Sequence, residues 1–345
     1  LIVCSKTKKE QTMPSVPSKF LALRIHEEDE KPQARLEQIS LEELTDGEIV
    51  IKNSYSGINY KDALAVTGAG KILRNFPLVG GVDVAGTVIE SKDPRFKEGD
   101  SVIAACSGLS ETNDGGYAEY SRLAKEAAIA LPEKMDLRTS MAIGTAGFAA
   151  GLAIYKMTLN NQRPSMGPVA VTGASGGVGS IATNMLSSMG YEVAAITGKK
   201  QNEEYLKQLG ASSVIVASEN EIGTRPLEKA IFGGAIDNLG GEMLSWLLRA
   251  TQPEGNVASI GLAADFKLST NVMPFILRGV NLLGVNSTTL PNDFKQMIWE
   301  QIAEKMIPVD IEKIITKEVL LEDAIPEFQG LLDASITGRT IIKIS

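Results

Sequence analysis

The chain has 345 residues, 43% of them hydrophobic, and a formal net charge of -8. That length and apolar share suffice for two domains with cores of their own and exclude a disordered or low-complexity chain. The acidic balance excludes a general nucleic-acid or anionic-membrane surface, and no internal repeat stands out, nor any apolar run approaching the roughly 20 residues that span a bilayer.

In chain order, residues 1–18 do not begin with Met, carry Lys6, Lys8 and Lys9, and reach Met13 just before Pro14 and Pro17, so they read as a leader or an expression remnant. The only cysteines are Cys4 and Cys106. They leave no disulfide framework for the body, which fits a reducing, cytoplasmic compartment. Short apolar runs at 20–25, 48–55, 85–90, 101–105 and 117–121, punctuated by Gly, Asp and Lys, predict a β-rich module over 19–140, with a short helix over 59–67. His26, the only histidine, lies beside Glu27, Glu28 and Asp29 and is expected in an exposed turn.

From about Met141 strands alternate with helices, which predicts an α/β unit, a doubly wound parallel sheet, over 141–287. Strands are expected at 169–172, 192–197, 213–216, 235–238, 256–260 and 280–285, the complement of a complete dinucleotide fold. The tail, 288–345, offers a helix over 293–306, a strand near 314–320, another helix and a closing strand at 340–344. Its strands are expected to return to the β-rich module, completing it.

The most informative stretch is 168–180. An apolar strand enters a turn with Gly173, Gly176, Gly177 and Gly179, and Val178, Ile181, Ala182, Met185 and Met189 then recur at helical spacing. Such a turn lets backbone amides at a helix start approach a dinucleotide pyrophosphate. After the next strand come Thr197, Gly198, Lys199 and Lys200, with no carboxylate before Glu203. A carboxylate there would serve NAD, whereas lysines suit the 2′-phosphate of NADP(H).

One histidine and one cysteine in the body make neither a zinc site nor a Ser-His-Asp triad. Hydride transfer aided by positioning remains, and Asn59 and Tyr60 are its candidate donors. The alternative is ordinary: Asn59 caps the helix, Tyr60 packs, and Lys61 and Asp62 are solvated.

The segments GINYKDAL at 57–64, GKILRNFP at 70–77, GVDVAGT at 81–87, TGASGGVGS at 172–180 and PFILRG at 274–279 together resemble the zinc-independent medium-chain reductases, in the quinone oxidoreductase and acryloyl-CoA reductase group of YhdH/YhfP type. The resemblance runs from about residue 20 to residue 344. It implies a GroES-like β-rich domain plus a Rossmann domain, with the active site in the cleft between them. It also implies that Tyr60 borders the nicotinamide, that Ser175, Gly176, Gly177 and Val178 hold the pyrophosphate, and that Thr197, Gly198 and Lys199 meet the adenosine phosphate. Leu262, Ile276 and Ser287 would line the cofactor on its nicotinamide side. Asn59, Val82 and Asp83 fall where zinc-dependent cousins carry ligands, so no metal is expected. Relatives are commonly homodimers, joined through a segment like 281–285.

The function expected on this resemblance is NADPH-dependent hydride transfer to an α,β-unsaturated carbonyl, an acryloyl-CoA-like thioester or a quinone, with Tyr60 and Asn59 stabilising the developing oxyanion. Lys71 and Arg74 could meet the phosphates of a CoA substrate. Two alternatives stay open: a non-catalytic NADPH-binding redox sensor, and zinc-dependent alcohol oxidation. The partner expected is a small molecule.

Overall fold

The computed structural model describes residues 16–220 and 222–345, so the leader expected over 1–18 lies, but for its last three residues, outside them. The N-terminal module begins with β1 (Phe20–Glu28) and β2 (Lys31–Ile39), an antiparallel hairpin in which Phe20 faces Ile39. Then come β3 (Ile49–Gly57), α1 (Tyr60–Thr67), β4 (Leu78–Val79), β5 (Asp83–Ser91), β6 (Ser101–Ala105), β7 (Tyr120–Leu123) and β8 (Ile129–Ala130). Strand β4 joins the hairpin in a three-stranded sheet ordered β2-β1-β4. Strand β2 has no counterpart among the expected runs: its sequence KPQARLEQI leaves one face to solvent, and its register against β1 makes it a strand. The same hairpin corrects His26. It lies within β1, not in an exposed turn, with Nε2 3.2 Å from the Glu37 carboxylate.

Helix α2 (Leu137–Leu159) starts at Asp136, whose side chain accepts the Thr139 N–H at 2.6 Å. By length and composition it could cross a bilayer, which no run in the sequence was expected to do, yet 72% of its most apolar window is buried inside the protein. It is the core helix that both halves share, and it runs across the boundary expected at 140/141. Phe148 on α2 meets Trp299 with ring centroids 5.8 Å apart, both fully buried. Burial of each contributes about 1.5–3 kcal/mol or more.

The second half is a parallel sheet of β9 (Val169–Thr172), β10 (Val193–Thr197), β11 (Ser213–Val216), β12 (Phe232–Asp237), β13 (Thr251–Ser259) and β14 (Asn281–Gly284), ordered β11-β10-β9-β12-β13-β14. Between them run α3 (Gly177–Ser188), α4 (Glu203–Gln208), α5 (Gly241–Ala250) and α6 (Met273–Arg278). This is the strand order of a Rossmann sheet, and its topological switch point lies between β9 and β12, where ligands bind beyond the carboxyl ends. The tail supplies α7 (Asn292–Gln301), which continues as a π-helical turn over Ile302–Met306, then α8 (Ile311–Ile314), β15 (Ile315–Leu320), α9 (Glu327–Leu332) and β16 (Arg339–Lys343). β15 and β16 extend the N-terminal sheet as β15-β16-β3-β5-β6-β8, with β7 paired to β3. The tail does return to the first module, as its pattern predicts.

Helix α2 is broken at Gly144, which has φ 50° and ψ -156°. A side chain there would be strained, and its Cβ would come within 2.5 Å of Asp83 Oδ2 and 3.0 Å of Arg339 Nη2. Gly144→Ala is expected to cost about 3 kcal/mol of stability. A urea midpoint equal to that of the wild type would show that the kink relaxes freely.

Candidate active site

The kink has a chemical consequence. In a continuous helix the Met141 carbonyl would accept from the Thr145 N–H. Here Thr145 N donates to the Asp83 carboxylate instead, at 3.1 and 3.0 Å, while Met141 O and Ala142 O accept from Arg339 Nη2 and Nε at 3.4 and 3.0 Å. Arg339, the first residue of β16, also donates from Nη1 to Ile58 O at 3.0 Å and to Asn59 Oδ1 at 2.9 Å.

Asn59 ends the extended backbone after β3 and caps α1, with its N–H on Asp62 Oδ2 at 2.8 Å. Its side-chain nitrogen donates to Asp62 Oδ2 at 3.2 Å and to Asp83 Oδ2 at 2.8 Å. Both amide hydrogens are thereby used, and Asn59 is buried. The expectation that Asn59 donates directly to an oxyanion is corrected: its amide hydrogens are already taken, whereas Tyr60, the next residue, is 48% exposed. Asp62 is not solvated either. It is fully buried and takes the Val82 N–H on Oδ1 at 2.9 Å.

Burial, reinforced by the nearby Asp83 carboxylate, raises Asp62 to about 7, against three N–H donors that pull the other way. Burial and the same two carboxylates push Tyr117 well above the ordinary phenol value, and its hydroxyl rests on Gly57 O at 3.1 Å. Burial also works against the Arg339 guanidinium, but the carboxylates oppose it and arginine stays cationic in proteins. On the far side of Asp83, the Thr145 hydroxyl donates at 2.5 Å and accepts from the Cys106 thiol at 3.2 Å. Burial raises that thiol to about 11, so Cys106 is neutral and no nucleophile. Lys295, on α7, is buried with Nζ on Cys106 O at 2.8 Å and Ser107 Oγ at 2.9 Å.

Beside this cluster lies the glycine turn. Helix α3 begins at Gly176 with no side chain capping it, so its first amides are left for another acceptor. A Cβ at Gly179 would stand 2.3 Å from Gly173 O, so only glycine lets the turn fold back so closely. These features fit a dinucleotide pyrophosphate. A Cβ on Gly177 would meet Arg339 Cδ at 3.1 Å, which brings the turn directly against the buried cluster. Ser175 and Thr197 touch through their hydroxyls at 3.2 Å, and Val178 is half-buried in the first turn. Gly198 is exposed, and Lys199 is half-buried with Nζ on Ile336 O at 3.0 Å. Lys200 is paired with Glu219 at 2.7 Å, a carboxylate that the fold delivers from beyond β11. One lysine, not two, is therefore free of a carboxylate partner among the described residues.

Leu262 and Ile276 stand exposed, 66% and 71%, after β13 and on α6. Ser287 follows β14 and is half-buried. Sequence reasoning missed Asp62, Arg339, Thr145 and Lys295. Of the cluster, only Asn59 and Asp83 stand out in the sequence, both through their place among zinc-ligand positions.

Two family models match the chain: an alcohol dehydrogenase GroES-like domain over 45–133 and a zinc-binding dehydrogenase over 177–304. YhfP of Bacillus subtilis, provisionally named a quinone oxidoreductase, is 42% identical over 94% of this chain and 99% of its own. Its structure with NAD bound superposes with a TM-score of 0.92, covering 95% of this chain and 100% of that one. The acrylyl-CoA reductase AcuI of Ruegeria pomeroyi is 40% identical over 94% of this chain and 99% of its own. YhdH of E. coli K-12, solved with NADPH bound, is 40% identical with a TM-score of 0.90, covering 94% and 100%.

Because Asp62 holds its proton to about 7 in the fold but only to about 4 when unfolded, the folded state binds the extra proton between those values. Its contribution to stability is therefore full at the acid end of that window and falls as pH rises through it. Asp62→Asn is expected to flatten this part of the curve of urea midpoint against pH. A slope unchanged from the wild type would show that Asp62 ionises as an ordinary carboxylate.

Proposed function

The chain belongs to the medium-chain dehydrogenase/reductase family, in its quinone oxidoreductase and acrylyl-CoA reductase branch, and on that premise we propose that it uses NADPH, without zinc, to reduce an alkene conjugated to a carbonyl. The observation that carries this reading is contiguity. The uncapped glycine turn lies against Arg339, Arg339 holds Asn59, and Asn59 is followed directly by the exposed Tyr60.

NADPH, when bound, supplies a hydride for the β-carbon of the substrate. Ser175, Gly176, Gly177 and Val178 would hold its pyrophosphate and Thr197, Gly198 and Lys199 its adenosine phosphate. YhfP is known with NAD and YhdH with NADPH, so the branch accommodates both. Lys199, half-buried and without a carboxylate partner among the described residues, favours the phosphorylated form here. Tyr60 donates a hydrogen bond to the substrate carbonyl oxygen as negative charge collects on it, and Tyr60 or water returns the proton. Asn59, Asp62, Asp83 and Arg339 keep the start of α1 fixed, so that the phenol needs little reorganisation. Zinc independence is supported by the same bonds: the Asn59 amide and the Asp83 carboxylate are committed to each other, to Arg339 and to Thr145.

Strand β14 is one edge of the parallel sheet, and Leu282 on it is exposed, as are Leu262, Phe266, Val272, Ile276 and Leu277 in the segment leading to it. An apolar edge of that kind needs a cover, and the reading assigns it to a second copy of the chain. The compartment proposed is the cytoplasm, where Cys106 stays a thiol.

NADPH oxidation over enoyl-CoA thioesters, quinones and enals tests the activity. The expectation is turnover of a thioester or a quinone, lowered about 100-fold or more in Tyr60→Phe. NADPH binding without turnover of any substrate would leave a cofactor-binding sensor. Light scattering tests the assembly: a mass near twice 36.8 kDa is expected, and a mass of 36.8 kDa would exclude the dimer.

A further inference from the structure

Between α9 and β16 the chain passes through Ile336, Thr337 and Gly338 to Arg339, and each of the four touches the nucleotide half at a different point. Ile336 O accepts Lys199 Nζ at 3.0 Å. Asn202 Nδ2 donates to Thr337 Oγ1 at 2.9 Å, and Gly338 N donates to Ser175 O at 2.9 Å. Arg339 lies on Gly177 and holds Asn59 Oδ1 at 2.9 Å. From its own side the segment is tied down by Thr316, whose hydroxyl donates to Thr337 O at 2.5 Å. A single extended strip therefore runs from the lysine placed for the adenosine phosphate, past the glycine turn, to the buried cluster beneath Tyr60.

An ammonium has three hydrogens. The Ile336 carbonyl takes one and, among the described residues, no carboxylate takes another. We infer that Lys199 does more than neutralise the 2′-phosphate: by bridging that phosphate and the Ile336 carbonyl, it draws 336–339 onto the nucleotide half and so sets Arg339. Discrimination between NADPH and NADH is then expressed in turnover as well as in affinity. The inference rests on the NADPH reading above. The two ends are linked reciprocally, so whatever the phosphate contributes to ordering the strip, an ordered strip returns to phosphate affinity. NADH can make the remaining contacts but leaves Lys199 with the carbonyl alone, and the strip as it is without cofactor.

Hydrogen exchange of 334–340 and 57–64 tests this in the full chain, free and with NADPH, NADH or 2′,5′-ADP. The last carries the phosphate but no nicotinamide, so its effect is independent of catalysis. NADPH and 2′,5′-ADP are each expected to slow exchange of the Gly338 amide about tenfold, and saturating NADH to leave it unchanged. Lys199→Met should abolish that difference and lower kcat at saturating NADPH to its NADH level, while Lys199→Arg should restore both. Equal protection by NADH and NADPH would overturn the inference. So would protection specific to NADPH that persists in Lys199→Met, or a methionine variant whose defect lies in KM alone. A titration in which NADPH shows no saturable binding would overturn the cofactor reading itself, and this proposal with it.

Discussion

A guanidinium buried between two domains has to be matched by acceptors on all sides, and the matching of Arg339 dictates much of the rest. Its partners come from three parts of the chain: Ile58 and Asn59 before α1, Asp83 at the start of β5, and Met141 and Ala142 on α2. The last two are available only because α2 breaks at Gly144. The same break turns the Thr145 N–H toward Asp83, so one backbone irregularity supplies acceptors to the cation and a donor to its counter-ion. Removing one partner from so buried a set costs about 3–5 kcal/mol, because an uncompensated charge is left behind.

Burial first, and then the second carboxylate in a cluster with one guanidinium, accounts for the raised Asp62. A second full negative charge at that depth lacks a cation of its own, and a proton held to about 7 is the cheaper arrangement. None of these groups is exposed, whereas Tyr60, next to Asn59 in the chain, is. The aromatic ring sits in the first turn of α1, and the position of that turn is set by Asn59, Asp62 and Asp83. A site of this kind places chemistry on one accessible side chain and its precision on several hidden ones.

The elements most legible in the sequence are those whose stability is local. β6, β9 and β11 occur at 101–105, 169–172 and 213–216, as their apolar runs imply, and the glycine turn announces both its backbone geometry and its ligand. Residues whose role depends on distant partners read as something blander. Asp62 looks like a solvated helix residue until Val82 and Asp83 enclose it, and Lys200 looks like a phosphate ligand until Glu219 pairs with it. Strand β2, polar along one face, becomes a strand only through its register with β1. Arg339 carries no signal at all, since nothing near it in sequence reveals that it will be buried against an asparagine 280 residues earlier.

Periodicity, glycine spacing and a short list of ligand-capable residues were enough to determine a β-rich module joined to a parallel dinucleotide sheet, and with the family resemblance they pointed to NADPH and to Tyr60. Those features are encoded within a few residues of one another, where backbone sterics and side-chain period act directly. Tertiary structure decided that Asn59 is a fixed support and not a free donor, that only one of two adjacent lysines lacks a carboxylate, and that the tail threads Ile336 to Arg339 between cofactor turn and active site. Each of these is a matter of charge and hydrogen-bond satisfaction among groups far apart in the chain, which no local pattern records.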